Sequence, residues 1–225
     1  MGGFFVALEG PEGAGKSTQA RLLADRLREA GWRVLLTREP GGTAIGEQVR
    51  AVVLDPANCA MLAETEALLY SAARAQHVGQ VIRPALADGT VVVCDRYVDS
   101  TLAYQGGGRG LPRDALLAVQ WLATGGLMPH LRVLLDIPAS LGLARRYAAP
   151  EAVNRLDAAD LAFHERVRAA YLAAVAEDPA GWAVVEAVGT VEEVAGSVAA
   201  VVLPAVAGSV APGPPVNPPA AVGRP

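Results

Sequence analysis

This sequence predicts a layered α/β fold, a parallel β-sheet covered by helices on both faces. Three observations carry that reading. Apolar runs of four to six residues alternate with amphipathic stretches along the chain, the pattern of strands buried on both sides. The first run leads through a glycine-rich turn straight into a helical stretch. The 225 residues, 52% hydrophobic, suffice for the core of one domain.

The elements follow in order. Phe4–Leu8 is an unbroken apolar run, a buried strand. In Lys16–Ala30, residues Ala20, Leu22, Leu23, Leu27 and Ala30 recur at helical spacing before Gly31. Arg33–Thr37 is a second strand, and Thr43–Leu54 and Glu64–Ala87 are helical, the latter closing at Asp88-Gly89. Thr90–Cys94 is the third strand and Asp114–Ala123 a helix. Leu131–Leu135 is the fourth strand, Ala139–Tyr147 and Asp160–Glu177 are helices, Trp182–Val185 is the fifth strand and Thr190–Leu203 the last helix. Residues 204–225 hold seven of the 16 prolines and are expected to form a disordered tail whose removal leaves activity intact.

Composition narrows the function. A net charge of −4 without a basic block argues against a nucleic acid polymer as partner. The chain has no apolar run long enough for a bilayer and no basic leader before Phe4, so neither membrane nor export is expected. Cys59 and Cys94 lack metal-ligand spacing, which suits a reduced, cytoplasmic protein. His77, His130 and His164 form no metal or triad pattern and are read as structural or surface residues.

Of the 19 basic residues, 18 are arginine; the one lysine is Lys16. It lies in Gly10-Pro11-Glu12-Gly13-Ala14-Gly15-Lys16-Ser17, which fits G-x-x-x-x-G-K-S/T between a strand and a helix. Such a loop turns its backbone N–H groups onto phosphate oxygens at a helix N-terminus. Gly10, Gly13, Ala14, Gly15, Lys16, Ser17 and Thr18 are therefore expected to hold the phosphates of ATP, with Lys16 on the β- and γ-phosphates. Ser17 and Asp95, the latter ending an apolar strand, are the expected Mg²⁺ contacts. Glu12 is out of place in an anion-binding loop, and is expected to point away from ATP and accept from a hydroxyl of the second substrate.

Three further segments complete the pattern. They are Thr37-Arg38-Glu39-Pro40-Gly41-Gly42-Thr43, Leu69-Tyr70-Ser71-Ala72-Ala73-Arg74-Ala75-Gln76-His77, and Asp95-Arg96-Tyr97-Val98-Asp99-Ser100-Thr101-Leu102-Ala103-Tyr104-Gln105-Gly106. In this order and spacing, and with the phosphate loop, they resemble the bacterial thymidylate kinases from about Phe4 to Val202. The resemblance implies a P-loop NTPase three-layer α/β fold over residues 1–203, with a five-stranded parallel sheet and a small lid at about 145–157. It implies ATP- and Mg-dependent phosphorylation of dTMP to dTDP, and a homodimer. Arg38 and Arg96 would hold the acceptor phosphate. Tyr70 would stack on the base and Arg74 bond its carbonyl, with Ser100 and Gln105 nearby. Tyr104 would crowd the sugar 2′ position, and Glu12 would meet the 3′-hydroxyl.

The loop supplies no cation between Gly10 and Gly15, so the transferring phosphoryl needs one from the lid, where an arginine is worth roughly 10³–10⁵ in rate. The lid carries Arg145, Arg146 and Arg155 but lacks the dense arginine run of the similar enzymes. Arg155 is expected first and Arg146 second. Two alternatives stay open: a kinase for another nucleotide, and a catalytically weak nucleotide-binding scaffold. A GTPase switch needs an Asn-Lys-x-Asp run, which a chain with Lys16 alone does not have.

Overall fold

The computed structural model describes residues 2–148 and 155–211. Five strands form one parallel sheet: β1 (Phe5–Glu9), β2 (Val34–Arg38), β3 (Val91–Asp95), β4 (Leu131–Asp136) and β5 (Trp182–Glu186). Their spatial order is β2-β3-β1-β4-β5. The chain builds to one side of β1 first and then to the other, so the sheet order reverses beside β1. In open α/β sheets ligands bind at the carboxyl ends of strands near that reversal.

Strand periodicity sorts the side chains into two cores. Val6 and Leu8 of β1, with Val91 and Val93 of β3, face α1 (Lys16–Glu29) and α9 (Val191–Ala207). Phe5 and Ala7, with Val92 and Cys94, face the opposite side. There they meet the long helix made of α3 (Ala63–His77), a π-helical turn at Val78–Ile82 and α4 (Arg83–Ala87). A third cluster joins Leu134 and Trp182 to Phe163, Val167 and Tyr171 of α8 (Leu161–Glu177). Each fully buried Leu or Phe contributes about 1.5–3 kcal/mol, so β1, enclosed on both faces, is the structural spine. The remaining helices are α2 (Ala44–Leu54), α5 (Val98–Thr101), α6 (Arg113–Thr124) and α7 (Ala139–Tyr147).

Local chemistry explains the boundaries. Thr43 caps α2 through Gly46 N, Asp160 caps α8 through Phe163 N, and Thr190 with Glu193 forms a reciprocal capping box on α9. The expected five strands and their helices are present with ends shifted by a residue or two. Two differences stand out. Val98–Gly108 is helical, first as α5 and then as a π-helical turn, where only a motif and no element was expected. The last helix also passes through Pro204 to Ala207, and Val206 and Val210 join the first core. The indole N–H of Trp32 donates to the Val210 carbonyl at 2.9 Å. Residues 204–211 of the expected tail are therefore packed on the domain, because Val206 and Val210 have apolar surface to cover. The rest of that expected tail, and residues 149–154 of the expected lid, lie outside the described residues.

Candidate active site

A cleft of about 730 Å³ opens at the carboxyl ends of β1, β2 and β3, a volume typical of small-molecule sites. It is lined by Glu12, Gly13, Gly15, Lys16, Ser17 and Thr18 from the β1–α1 loop, by Arg38, Tyr70 and Arg74, and by Asp95, Arg96, Ser100, Tyr104 and Gln105. Four sequence segments expected to act together thus share one cavity.

The loop is shaped by its glycines. Gly13 has φ +72, and a Cβ there would collide with the backbone of Gly142 on α7. Gly15 has φ +83 and precedes Lys16, the first residue of α1, so the helix N-terminus opens on the cleft. Lys16 Nζ donates to the Pro11 carbonyl at 2.7 Å. Burial, and then the charge of Arg96, lower its pKa to about 8 against the pull of Glu12 and Asp95.

Ser17 Oγ donates to Oδ2 of Asp95, at the end of β3. Asp95 Oδ1 is buried and has no hydrogen-bond partner among the described residues. A hydroxyl beside a carboxylate with a spare oxygen is an oxygen donor set suited to a hard divalent cation. No cluster of three acidic, His or Cys ligands exists among the described residues.

Arg96 takes the left-handed conformation at φ +71, an arrangement that costs a non-glycine residue about 1–3 kcal/mol. Its surroundings hold it there. The backbone N–H donates to Leu8 O at 2.9 Å, and the guanidinium donates to Glu12 Oε1 at 2.7 Å, Tyr104 Oη at 3.1 Å and Ser100 Oγ at 3.3 Å. The guanidinium also sits over the Tyr104 ring at 4.9 Å. Tyr104 Oη donates to the same oxygen of Glu12 at 3.0 Å. Burial opposes the charge of Glu12, but Arg96 and Lys16 outweigh it and bring its pKa to about 2.

Glu9 lies beneath this group, fully buried at the end of β1. It accepts from Tyr97 N at 2.7 Å, Ser100 Oγ at 2.6 Å and Tyr171 Oη at 3.0 Å. It thus fixes the start of α5 and the hydroxyl that Arg96 touches. Sequence reading passed over it, although an acid ending an apolar strand is the same signal that marked Asp95.

Arg74, on α3 one turn after Tyr70, is almost wholly buried. Its Nε donates to Glu39 Oε2 at 2.6 Å, and its other donors go to Thr101 Oγ1, Gln120 Oε1 and the Tyr97 carbonyl. Glu39 Oε1 also meets His77 Nδ1 at 3.0 Å, and His77 Nε2 lies 2.7 Å from Thr37 Oγ1. His77 is thus enclosed among Glu39 and Thr37, and His164 is buried with neither ring nitrogen hydrogen-bonded among the described residues. His130 Nδ1 accepts from Phe5 N at 2.9 Å. Arg38 is half-exposed and pairs with Glu47 at 3.1 Å. Arg50, which sequence reading missed, also lines the cleft and donates to the Pro40 carbonyl at 2.9 Å.

The lid arginines divide. Arg145 and Arg146 line the cleft. Arg145 donates to the Ala187 and Val188 carbonyls at 2.7 and 2.9 Å, and Arg146 pairs with Asp157 at 3.0 Å. Arg155, expected first as the catalytic cation, does not line the cleft. Its Nε donates to Val53 O at 3.0 Å and its Nη2 to Glu66, so it ties the lid end to α2 and α3. A buried carboxylate 89 residues away in the chain could not be read from the spacing of arginines.

Comparison with known proteins agrees with this geometry. A family model described as Thymidylate kinase matches residues 8–198. A thymidylate kinase of Thermomicrobium roseum is 58% identical over 199 residues, covering 88% of this chain and 94% of that protein. One of Geobacter sulfurreducens is 49% identical over 206 residues, covering 89% and 97%. One of Pseudomonas putida is 50% identical over 194 residues, covering 86% and 92%.

Proposed function

The chain belongs to the thymidylate kinase family, and from that membership we infer that it transfers the terminal phosphoryl group of ATP to dTMP, giving ADP and dTDP. One observation carries the reading: the phosphate loop, Arg96 with Glu12, and Tyr70 with Arg74 line a single cleft. The loop backbone and Lys16 bind the donor phosphates, and Arg145, held against the Ala187–Val188 backbone, borders the donor end. Ser17 and Asp95 would hold Mg²⁺, which would supply positive charge against the donor phosphates.

The acceptor occupies the opposite arm. Arg96 and Arg38 receive its 5′-phosphate, and the pair to Glu47 leaves Arg38 exposed enough to turn inward. The Tyr70 ring stacks on the base and Arg74 donates to a base carbonyl. Tyr104 crowds the 2′ position and Glu12 accepts from the 3′-hydroxyl. The acceptor phosphate oxygen is already ionised at neutral pH, so no general base is needed. Catalysis is positioning plus cations on the transferring group, and Arg146, which lines the cleft, is the lid cation we assign to it.

The domain over residues 1–203 extends to about Val210 in this reading. Two free cysteines, Cys59 and Cys94, support a cytoplasmic location. No described helix is long and apolar enough to cross a membrane. Exposed Leu68 on α3 and Trp121 and Leu122 on the neighbouring α6 support a homodimer, which sedimentation at several concentrations tests. The function is tested by acceptor-dependent ADP release with dTMP against other nucleoside monophosphates. Release without acceptor preference contradicts it.

A further inference from the structure

Glu66 lies on α3, one turn before Tyr70, and is 1% exposed. Its Oε1 accepts from Gln105 Nε2 at 2.7 Å and from Arg109 Nε at 3.4 Å. Its Oε2 accepts from Arg109 Nη2 at 3.2 Å and from Arg155 Nη2. Burial works to neutralise the carboxyl, but the hydrogen bonds of Gln105 and Arg155 and the charge of Arg109 outweigh it, and the pKa falls below the usual carboxylate range. Glu66 is therefore ionised at neutral pH, and an ionised carboxylate accepts hydrogen bonds and never donates them.

That fixes Gln105. A glutamine amide can present its carbonyl or its NH₂ to a given side, and the two arrangements have nearly the same shape. Beside an acceptor-only carboxylate, the NH₂ must face Glu66 and the carbonyl oxygen lies on the other branch. Gln105 lines the cleft together with Tyr70. A thymine ring carries hydrogen on N3, whereas a cytosine ring carries a lone pair there. Only the first matches a carbonyl acceptor.

We infer that Glu66 is a specificity-determining positioning residue: by locking the amide of Gln105 it keeps an acceptor for the ring N–H of a thymine-type base and disfavours a cytosine-type base. Arg109 and Arg155 hold Glu66 in its charged state, which gives Arg155 a role outside the reacting phosphates. The inference rests on the kinase reading above. Sites that hydrogen-bond a substrate group discriminate strongly, because the wrong ligand leaves buried polar groups unpaired.

The test is kcat/KM for dTMP and for dCMP with wild type, Glu66→Gln and Arg155→Met, alongside thermal melting. A glutamine at 66 can donate as well as accept, so Gln105 becomes free to turn over. Glu66→Gln is expected to lower the dTMP-to-dCMP ratio at least roughly tenfold, mainly through a higher KM for dTMP with kcat changed less than about threefold. Arg155→Met moves the ratio the same way by less, since Arg109 still pairs with Glu66. An unchanged ratio in both variants, with only the melting temperature lowered, overturns the inference and leaves Glu66 a structural anchor. If Glu66→Gln does not fold, Arg155→Met decides alone, and an unchanged ratio there is contrary. A wild-type protein that does not phosphorylate dTMP sinks the kinase reading and this inference together. One that does, with selectivity indifferent to both substitutions, sinks only the inference.

Discussion

Arg96 Nη2 and Glu12 Oε1 lie 2.7 Å apart, and this pair joins the phosphate loop to the segment after β3. It resolves the oddity of an acid inside an anion-binding loop: Glu12 faces a guanidinium and the Tyr104 hydroxyl. If Glu12 accepts from the acceptor 3′-hydroxyl, wild type should favour dTMP over its 3′-deoxy analogue and Glu12→Ala should not. The substitution is expected to cost about tenfold or more in kcat/KM for dTMP. Equal discrimination in both proteins, measured by steady-state kinetics, would remove Glu12 from that role.

Of the two ranked lid arginines, Arg146 lines the cleft and Arg155 does not. Arg146→Ala should lower kcat at saturating ATP and dTMP by roughly 10³-fold or more, the range expected of a transition-state cation. Arg155→Ala should lower it by less than about tenfold, because Arg155 is turned to Glu66 and Val53. Single-turnover rates of the two variants check this, and the reverse order would restore Arg155.

Lys16 supplies a pH prediction. Its folded pKa of about 8 lies below the lysine reference of 10.5. Burial of the charge therefore disfavours the folded apo protein at low pH, and that penalty fades as pH rises through about 8 toward 10.5. Bound triphosphate restores the charge, so ATP binding at pH 8 should take up roughly half a proton. Titration calorimetry in buffers of different ionisation enthalpy measures it. Uptake near zero at pH 8 would mean Lys16 is already fully charged.

The C-terminal boundary has a direct consequence for stability. Truncation after Leu203 removes Val206 and Val210 from the core and should cost about 3 kcal/mol or more. For a chain of this size that corresponds to a melting temperature lower by roughly 6–12 °C. Truncation after Ala211 should leave melting and turnover unchanged. Equal melting of both truncated forms would show that Val206 and Val210 contribute little.

The strands were legible because each is a short apolar run bounded by turn residues, and the phosphate loop because strand, glycines, lysine and helix follow in fixed spacing. Asp95 was legible for the same local reason. What stayed hidden depends on contacts between distant segments. Glu9 reaches Ser100 and Tyr171, and Arg155 reaches Glu66. Arg74 was legible as a candidate base contact; the Glu39, Thr101 and Gln120 that hold it come from three other segments and were not. Pro204 misled for a different reason. Proline normally breaks a helix interior, yet the apolar face running through Val202, Val206 and Val210 carries α9 past it.

The central claim is tested most directly by ADP release from ATP and Mg²⁺ with dTMP, dUMP, UMP, CMP, AMP or no acceptor, at one protein concentration. The account predicts strong release with dTMP, weaker release with dUMP, and little with the others. Strong release with a different acceptor would overturn the base assignment, and ATP binding without any acceptor-dependent release would contradict the kinase reading itself.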